Sequence, residues 1–336
     1  MKKYINKLGK KTTILIILLV ASSPLGLIKS DYYFMSPGPP YQWLIDVGTA
    51  VTYPFDGSLY QLTVRRDEAN YYSLVWAKLD NSVDLYERDE ILPKGIEPEE
   101  LNEISRNNMR TSENVAIAVA LKAMGYEITA SGDGVLVVGI LEGSPVLNKL
   151  QKDDLIVMLN EEEVSSVSDF IGKLRTYEIG EIVSIGYIRD EQKQKFQTKL
   201  IEHVEYKGEP MVGFLASTPN EIYNFPFNVD IETGSVGGPS AGLMMALNVY
   251  NLLTSNDITR GEIIAGTGTI EIDGSVGPVG GVKQKVIAAK RVGAKLILVP
   301  NSNFNEAIGL SDMNTEVISV DSFADALRVI DEFTSR

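Results

Sequence analysis

The stretches GGPSAG, residues 237–242, and GGVKQK, residues 280–285, decide how the C-terminal part of this chain folds. Each is a glycine-rich turn followed by apolar residues at helical spacing, so each predicts the start of a helix. In the first turn, Pro239 suits the first helical position and Ser240 follows it. In the second, Lys283 lies in the first turn of the helix. The sequence therefore predicts a serine and a lysine at two helix starts.

The pattern Gly-x-Ser-x-Gly at residues 238–242 is that of the nucleophile elbow in α/β-hydrolases, where acid and histidine follow the serine along the chain. The chain has a single histidine, His203, and it precedes Ser240. An order with histidine first stays open. His203 nevertheless lies in a charged stretch typical of an exposed strand end, so we predict a structural role for it.

Lysine can replace histidine as the base that activates a serine when its charged form is disfavoured. A helix start opposes positive charge through the macrodipole, and burial opposes it further. We therefore predict Lys283 as the base for Ser240, and backbone N–H groups at the helix start marked by Gly238 and Pro239 as an oxyanion hole. The rival base, Lys285, points to another face of the helix and is expected to be solvated. On spacing alone, both turns could also be ordinary helix starts.

Four motifs resemble, in order and spacing, the proteolytic domain of Lon proteases. They are GPSAG (238–242), GTG (266–268), GSVGPVGGVKQK (274–285) and LVPN (298–301). The resemblance implies a Ser-Lys dyad, carried here by Ser240 as nucleophile and Lys283 as general base, with Thr267 supporting the lysine. Two positions depart from the common pattern: Gly237 stands where many Lon enzymes have an acidic residue, and Thr269 where they have a glutamate.

Composition excludes several classes of function. A formal net charge of −14 argues against nucleic-acid binding, because phosphate contacts need a basic surface. With no cysteine and one histidine, neither a thiol nucleophile nor a catalytic zinc site is expected, and no cofactor is implied. The sequence contains no Walker motif, so we expect proteolysis to be independent of ATP and restricted to short or flexible substrates.

The N-terminus predicts membrane attachment. Five lysines in residues 1–11 precede an uncharged apolar stretch, so we predict a cytoplasmic basic segment over residues 1–11 and a transmembrane anchor over residues 12–30. The positive-inside rule then places the bulk of the chain outside the plasma membrane. Small residues at positions 21–23 also permit cleavage by signal peptidase, so release of the protein stays an alternative.

The remaining chain predicts an α+β (mixed α/β) protein. Residues 31–125 are assigned to an N-terminal extracytoplasmic segment belonging to the protease domain, with a hairpin around residues 51–64 and a helix from residue 111. Residues 206–336 are assigned to the Lon-type proteolytic domain with its Ser-Lys dyad. Whether the segment between them interrupts the protease domain or separates two units is left open.

The pattern of the intervening residues 126–205 predicts several short strands and one helix. This order of elements resembles a PDZ domain of bacterial secreted proteases. The resemblance implies that an extended peptide adds as a strand beside Gly134, Val135, Leu136 and Val137. An ordinary β-rich domain without a ligand is the alternative.

Together, the anchor, the PDZ-like module and the Lon-like domain resemble the bacterial membrane-anchored peptidases of the YlbL and SepM type. The resemblance implies a serine endopeptidase outside the membrane that cleaves small secreted or surface peptides, a signalling peptide among them. Lon domains tend to associate as rings, so oligomerisation is possible, but the sequence does not specify the oligomeric state. The alternative is a membrane-tethered PDZ protein that binds peptides beside an inactive protease scaffold.

Overall fold

The computed structural model describes residues 26–92, 98–204, 207–219, 222–234 and 236–336. The helices are α1 (Tyr71–Leu79), α2 (Arg88–Ile91), α3 (Pro98–Ala123), α4 (Val167–Leu174), α5 (Gly242–Leu253), α6 (Val282–Arg291), α7 (Phe304–Ile308) and α8 (Phe323–Thr334). The first strands are β1 (Lys29–Pro37), β2 (Leu44–Asp46), β3 (Ser58–Gln61), β4 (Val64–Asn70), β5 (Asp84–Glu87), β6 (Thr129–Ser131), β7 (Val135–Ile140), β8 (Leu155–Leu159), β9 (Glu162–Glu163), β10 (Ile182–Arg189) and β11 (Gln192–Lys199). The later strands are β12 (Ile201–Glu202), β13 (Pro210–Met211), β14 (Phe214–Ser217), β15 (Ile222–Asn224), β16 (Asp230–Glu232), β17 (Ile263–Gly266), β18 (Thr269–Ile270), β19 (Val276–Gly277), β20 (Leu296–Pro300) and β21 (Glu316–Val320).

Among the described residues, none of the helices combines the length and apolar character needed to cross a membrane. The predicted basic segment 1–11 and residues 12–25 of the predicted anchor lie outside the described residues. The predicted end of the anchor at residue 30 overlaps β1, which begins at Lys29, where Lys29 lies opposite Asn70 in the sheet.

A small compact unit contains residues 26–37 and 64–91. Its antiparallel sheet has the strand order β4-β1-β5, and α1 packs on it over a core of Phe34, Ala69 and Val83. The assignment of all of residues 31–125 to the protease domain therefore needs correction, since these strands bury their apolar side chains in a core of their own.

The second compact unit contains residues 38–63 and 92–336 and is built around a parallel sheet of order β21-β20-β17-β3. Strand β20 is buried throughout, as expected of a central parallel strand covered on both faces. Its side chains alternate: Leu296 and Leu298 face a core shared with α3, α5 and α8, whereas Ile297 and Val299 face α6 and α7. The protease core is thus a mixed α/β structure of three layers.

The hairpin expected around residues 51–64 does not form. Residues 51–55 are in no strand, and β3 instead pairs in parallel with β17, Leu59 opposite Ile264. This pairing buries Leu59 in the core beside α3 and α5. A short apolar run does not specify whether the strand that pairs with it is near or far along the chain. Here the partner is the distant strand β17.

Strands β7, β8, β10 and β11 form an antiparallel sheet in the order β11-β10-β8-β7, and α4 covers it. The domain has its own core, which includes Val137, Ile156, Phe170 and Ile185. Residues on both sides of it along the chain, in α3 and in α5, share the other core. The β-rich domain is therefore inserted between two segments that share the other core.

Candidate active site

The serine turn begins at Gly238, whose φ of +86° suits glycine because a side chain is strained there. Residues Pro239–Ala241 make one 3₁₀ turn that leads directly into α5. Ser240 is half-buried, whereas Ala241 and most of α5 are buried. The nucleophile predicted from the sequence thus lies at a helix start at the edge of the core.

Three hydrogen bonds hold the Ser240 carbonyl oxygen. The donors are the N–H of Gly268 at 3.0 Å, Thr267 Oγ1 at 3.1 Å and Gln61 Nε2 at 3.2 Å. Gln61 ends β3, and the other two follow β17, so two adjacent strands of the central sheet fix one peptide group. The backbone of Ser240, the predicted nucleophile, is therefore held from the sheet.

Helix α3 holds the same turn from the other side. Its Ser105 carbonyl accepts from the N–H of Gly238 at 3.0 Å, and its Ser112 Oγ donates to the Pro239 carbonyl at 3.1 Å. A Cβ at Gly237 would lie 2.7 Å from Ser105 Oγ. A side chain at this position would therefore require Ser105 Oγ to move.

Ser105 was missed because the helix was predicted from residue 111. In the structure α3 begins at Pro98, with Glu99 and Glu100 in its first turn. Proline at the first helical position followed by acidic residues is a recognised helix start, so the signal was present in the sequence.

Lys285 is buried at 2% exposure, and its Nζ donates to Thr267 Oγ1 at 3.0 Å. Thr267 is fully buried and donates in turn to the Ser240 carbonyl. The expectation that Lys285 is solvated is therefore wrong. The fold connects Lys285, Thr267 and Ser240 in one buried chain of hydrogen bonds.

Lys283, the base predicted from the sequence, is half-exposed, and its backbone N–H donates to Glu306 Oε1 at 3.3 Å. Two residues along an α-helix correspond to a rotation of about 200°. The side chains of Lys283 and Lys285 therefore leave α6 in nearly opposite directions. The structure brings Lys285 to Thr267, the residue expected to support the catalytic lysine.

His203 follows β12, and its backbone N–H donates to the Glu209 carbonyl at 2.8 Å. Burial lowers the pKa of His203 to about 4, so its imidazole is neutral near pH 7.

The hairpin of β18 and β19 joins the serine turn to the inserted domain. On one side, the N–H of Leu243 donates to the Gly268 carbonyl at 3.1 Å, and Ile270 packs against Gly242. On the other side, Ser168 Oγ of α4 donates to Glu271 Oε2 at 2.5 Å. Arg175 also contacts Glu271, with Nη1 and Oε1 3.5 Å apart.

At the second departure from the Lon pattern, Thr269 Oγ1 is buried and lacks a hydrogen-bond partner among the described residues.

Burial raises the pKa of Glu271, despite the opposing effects of Arg175 and Ser168. The folded chain then keeps a proton that the unfolded chain has released, so the free energy of unfolding should fall as pH rises from about 4.5 through the folded pKa. We expect Glu271→Gln, which mimics the protonated form, to flatten this dependence. Urea unfolding at a series of pH values measures it, and an unchanged slope in the variant would contradict the prediction.

The strand predicted to bind peptide is present as β7, and the loop before it contains Gly134. The Gly134 N–H donates to the Ser165 carbonyl at 3.2 Å, and Val135 lies opposite Ile156 of β8. Leu136 and Val137 lie opposite Ser217 and Ala216 of β14. Other segments of the same chain therefore pair with or bond to the backbone at all four positions predicted to bind a peptide.

Comparisons with known proteins match two parts of the chain to protein families. Residues 218–332 match the family model of the Lon protease (S16) C-terminal proteolytic domain. The chain carries a Lon-type serine peptidase domain. Residues 122–200 match the PDZ family model, so the domain inserted into the Lon-type fold is a PDZ domain.

Curated proteins similar to part of this chain are named Lon proteases. Lon protease 2 of Syntrophobacter fumaroxidans is 29% identical over 151 residues, which are 43% of this chain and 18% of the relative. Lon protease 2 of Bacillus subtilis is 36% identical over 31% of this chain and 17% of the relative. Lon protease of Desulforamulus reducens is 45% identical over 23% of this chain and 9% of the relative. The chain therefore spans less than a fifth of the length of these relatives.

Among solved structures, the PDZ domain of the SdrC-like protein from Listeria monocytogenes is 26% identical to this chain. The match covers 25% of this chain and 87% of that domain, with a TM-score of 0.24.

Proposed function

We propose that this protein is a serine endopeptidase in which Ser240 is the nucleophile and Lys285, in place of Lys283, is the general base. The observation that carries the proposal is the buried contact from Lys285 Nζ to Thr267 Oγ1, beside the serine turn. A general base must be neutral to accept a proton, and burial disfavours the ammonium form of lysine. The dipole at the start of α6 acts in the same direction.

In the proposed reaction, Ser240 Oγ forms a bond to the peptide carbonyl carbon while its proton passes to Lys285 Nζ. Backbone N–H groups at the serine turn stabilise the oxyanion, as the first N–H groups of a helix lack intrahelical partners. Collapse of the intermediate breaks the C–N bond, and Lys285 returns the proton to the leaving amine. Water then attacks the acyl-enzyme with Lys285 again as the base, which releases the acid and restores Ser240.

A membrane-attached location is supported by helix α1. Five of its side chains, large and apolar or aromatic, are exposed: Tyr71, Tyr72, Val75, Trp76 and Leu79. The carbonyl of Gly26 accepts from Asn70 Nδ2 at 3.0 Å, and Gly26 packs against the Tyr72 ring. The exposed face of α1 is thus in contact with Gly26, the residue that directly follows the apolar sequence of residues 12–25. Aromatic side chains favour the bilayer interface, so we propose that α1 rests on the membrane beside an N-terminal anchor.

The proposed substrates are short or flexible secreted or surface peptides, including signalling peptides, cleaved outside the cell without ATP. The alternative is a tethered binding protein with an inactive scaffold. The burial of Lys285 against Thr267 favours the enzyme, because a buried lysine is costly unless it is partnered and an inactive scaffold has no need of one.

The test is a peptide digest mapped by mass spectrometry, using the full chain in detergent micelles. We expect defined cleavage products from the wild-type protein and none from Ser240→Ala. The same products from both proteins would rule out Ser240 as the nucleophile. Fractionation of cells tests the location separately: we expect the full chain in the membrane fraction, and a shortened chain in the medium would overturn the anchor.

A further inference from the structure

Strand β14 lies along the edge of β7 that faces away from β8. It runs antiparallel to β7, with Phe214 opposite Ile140 and Ser217 opposite Leu136. The other edge of β7 meets β8, and the Val137 N–H donates to the carbonyl of Asp154, just before β8, at 2.8 Å. Peptides bind PDZ domains by adding an antiparallel strand to an exposed sheet edge, and here β14 occupies that edge.

The same segment also contacts α4, the helix that covers this sheet. The rings of Phe214 and Phe170 lie 5.9 Å apart between centroids. The N–H of Val167, the first residue of α4, donates to Thr218 Oγ1 at 2.9 Å. Residues 214–218 therefore lie between strand and helix, where an extended peptide ligand would insert.

The loop before β7 suits a bound segment that continues past it, and not a peptide whose C-terminal carboxylate ends at the loop. Its Gly134 N–H donates to the Ser165 carbonyl, and a Cβ at Gly132 would lie 2.4 Å from the same oxygen. Beyond the loop the chain continues, and β15 pairs with β6, Ile222 opposite Ser131. The amide that could hold a terminal carboxylate is thus already bonded.

We propose that the PDZ groove is occupied in cis by residues 214–218, so that the domain acts as an internal brace and not as a receptor for peptides in trans. Helix α4 contacts the occupant through Phe170 and the protease hairpin through Ser168 and Glu271. It thereby connects the strand that leaves the insertion with the hairpin that supports Ser240. The peptide-binding role expected for residues 134–137 is filled by the chain itself.

A tethered strand competes at an effective concentration on the order of millimolar, so a free peptide of the same sequence should bind at least about 10-fold more weakly to the intact chain than to one with an open groove. The probe is the labelled peptide VGFLASTP, residues 212–219. The full chain carries Ser240→Ala, which prevents cleavage and separates this test from the proposed peptidase activity. Fluorescence anisotropy measures binding.

Phe214→Asp should open the groove by removing the aromatic anchor, and the probe should then bind. Phe196→Asp is the matched control: it removes another partly buried aromatic residue of the same core, one on β11, outside the groove. Equal affinity for the unaltered chain and for Phe214→Asp would overturn the proposal. So would binding to the Phe196→Asp control as tight as to Phe214→Asp.

A disulfide provides a second test that does not depend on tolerance of Phe214→Asp. The chain has no cysteine, so Leu136→Cys with Ser217→Cys places a single pair of thiols on opposed residues. We expect the link to form readily on mild oxidation, with the probe failing to bind before and after. Probe binding in the reduced protein that oxidation abolishes would show an open groove and overturn the proposal.

Discussion

Lys285→Ala is expected to lower kcat/KM for peptide cleavage by about 10³-fold or more, whereas Lys283→Ala should stay within about 3-fold of the wild-type value. The physical reason is position: Lys285 Nζ is buried 3.0 Å from Thr267 Oγ1, and Lys283 is half-exposed on the other side of α6. Lys285 is therefore the lysine held beside the serine turn, and its removal should remove the proposed base. Initial rates on a peptide found in the digest measure both values.

The pair of variants contains its own control, because both remove one lysine from the first turn of the same helix. Replacing a buried lysine with a small residue can also alter folding, so Lys285→Met, which keeps most of the volume, should be equally inactive while unfolding cooperatively on heating. If Lys283→Ala were inactive and Lys285→Ala active, the dyad proposed here would be wrong and the assignment made from the sequence would be right.

Thr267→Val is expected to lower kcat by about 10- to 100-fold with a smaller change in KM. Valine has nearly the shape of threonine but loses two hydrogen bonds, one from Lys285 Nζ and one to the Ser240 carbonyl. A hydroxyl oxygen stabilises an ammonium group more than a neutral amine. Its loss should therefore favour the neutral lysine and move the acidic limb of the pH–rate profile to lower pH.

Thr267→Ser keeps the hydroxyl and is expected to recover most of the activity. A purely structural role for Thr267 would reduce the amount of folded protein without moving the pH profile. An unshifted profile in Thr267→Val would therefore contradict the proposed contact with the base, whatever the loss of rate.

Local signals were sufficient where one segment determines its own conformation. Pro239 and the glycines around Ser240 specify a helix start, and Ser322 caps α8 by accepting from the N–H of Asp325, as the spacing of these residues predicts. Strands β7, β8 and β10 and helix α4 of the PDZ domain were also predictable, because each carries apolar residues in a run or at helical spacing.

Contacts between distant segments were not predictable in this way. Helical spacing shows that Lys283 and Lys285 lie on different faces of α6, but only the packing of α6 on the central sheet decides which face meets Thr267. In the same way, β14 is specified by pairing with a strand more than 70 residues earlier, since Phe214 lies opposite Ile140. In both cases, the sequence of one segment contains nothing that identifies the distant segment against which it packs.

The sequence by itself determined the groups from which this protein can build its chemistry: a serine at one helix start, two lysines at another, a single histidine, and neither cysteine nor Walker motif. The tertiary structure decided which lysine is buried beside the serine turn and what fills the PDZ groove. The physical reason is that residue type and periodicity are properties of one segment. Burial and strand pairing are properties of two segments brought together by the core.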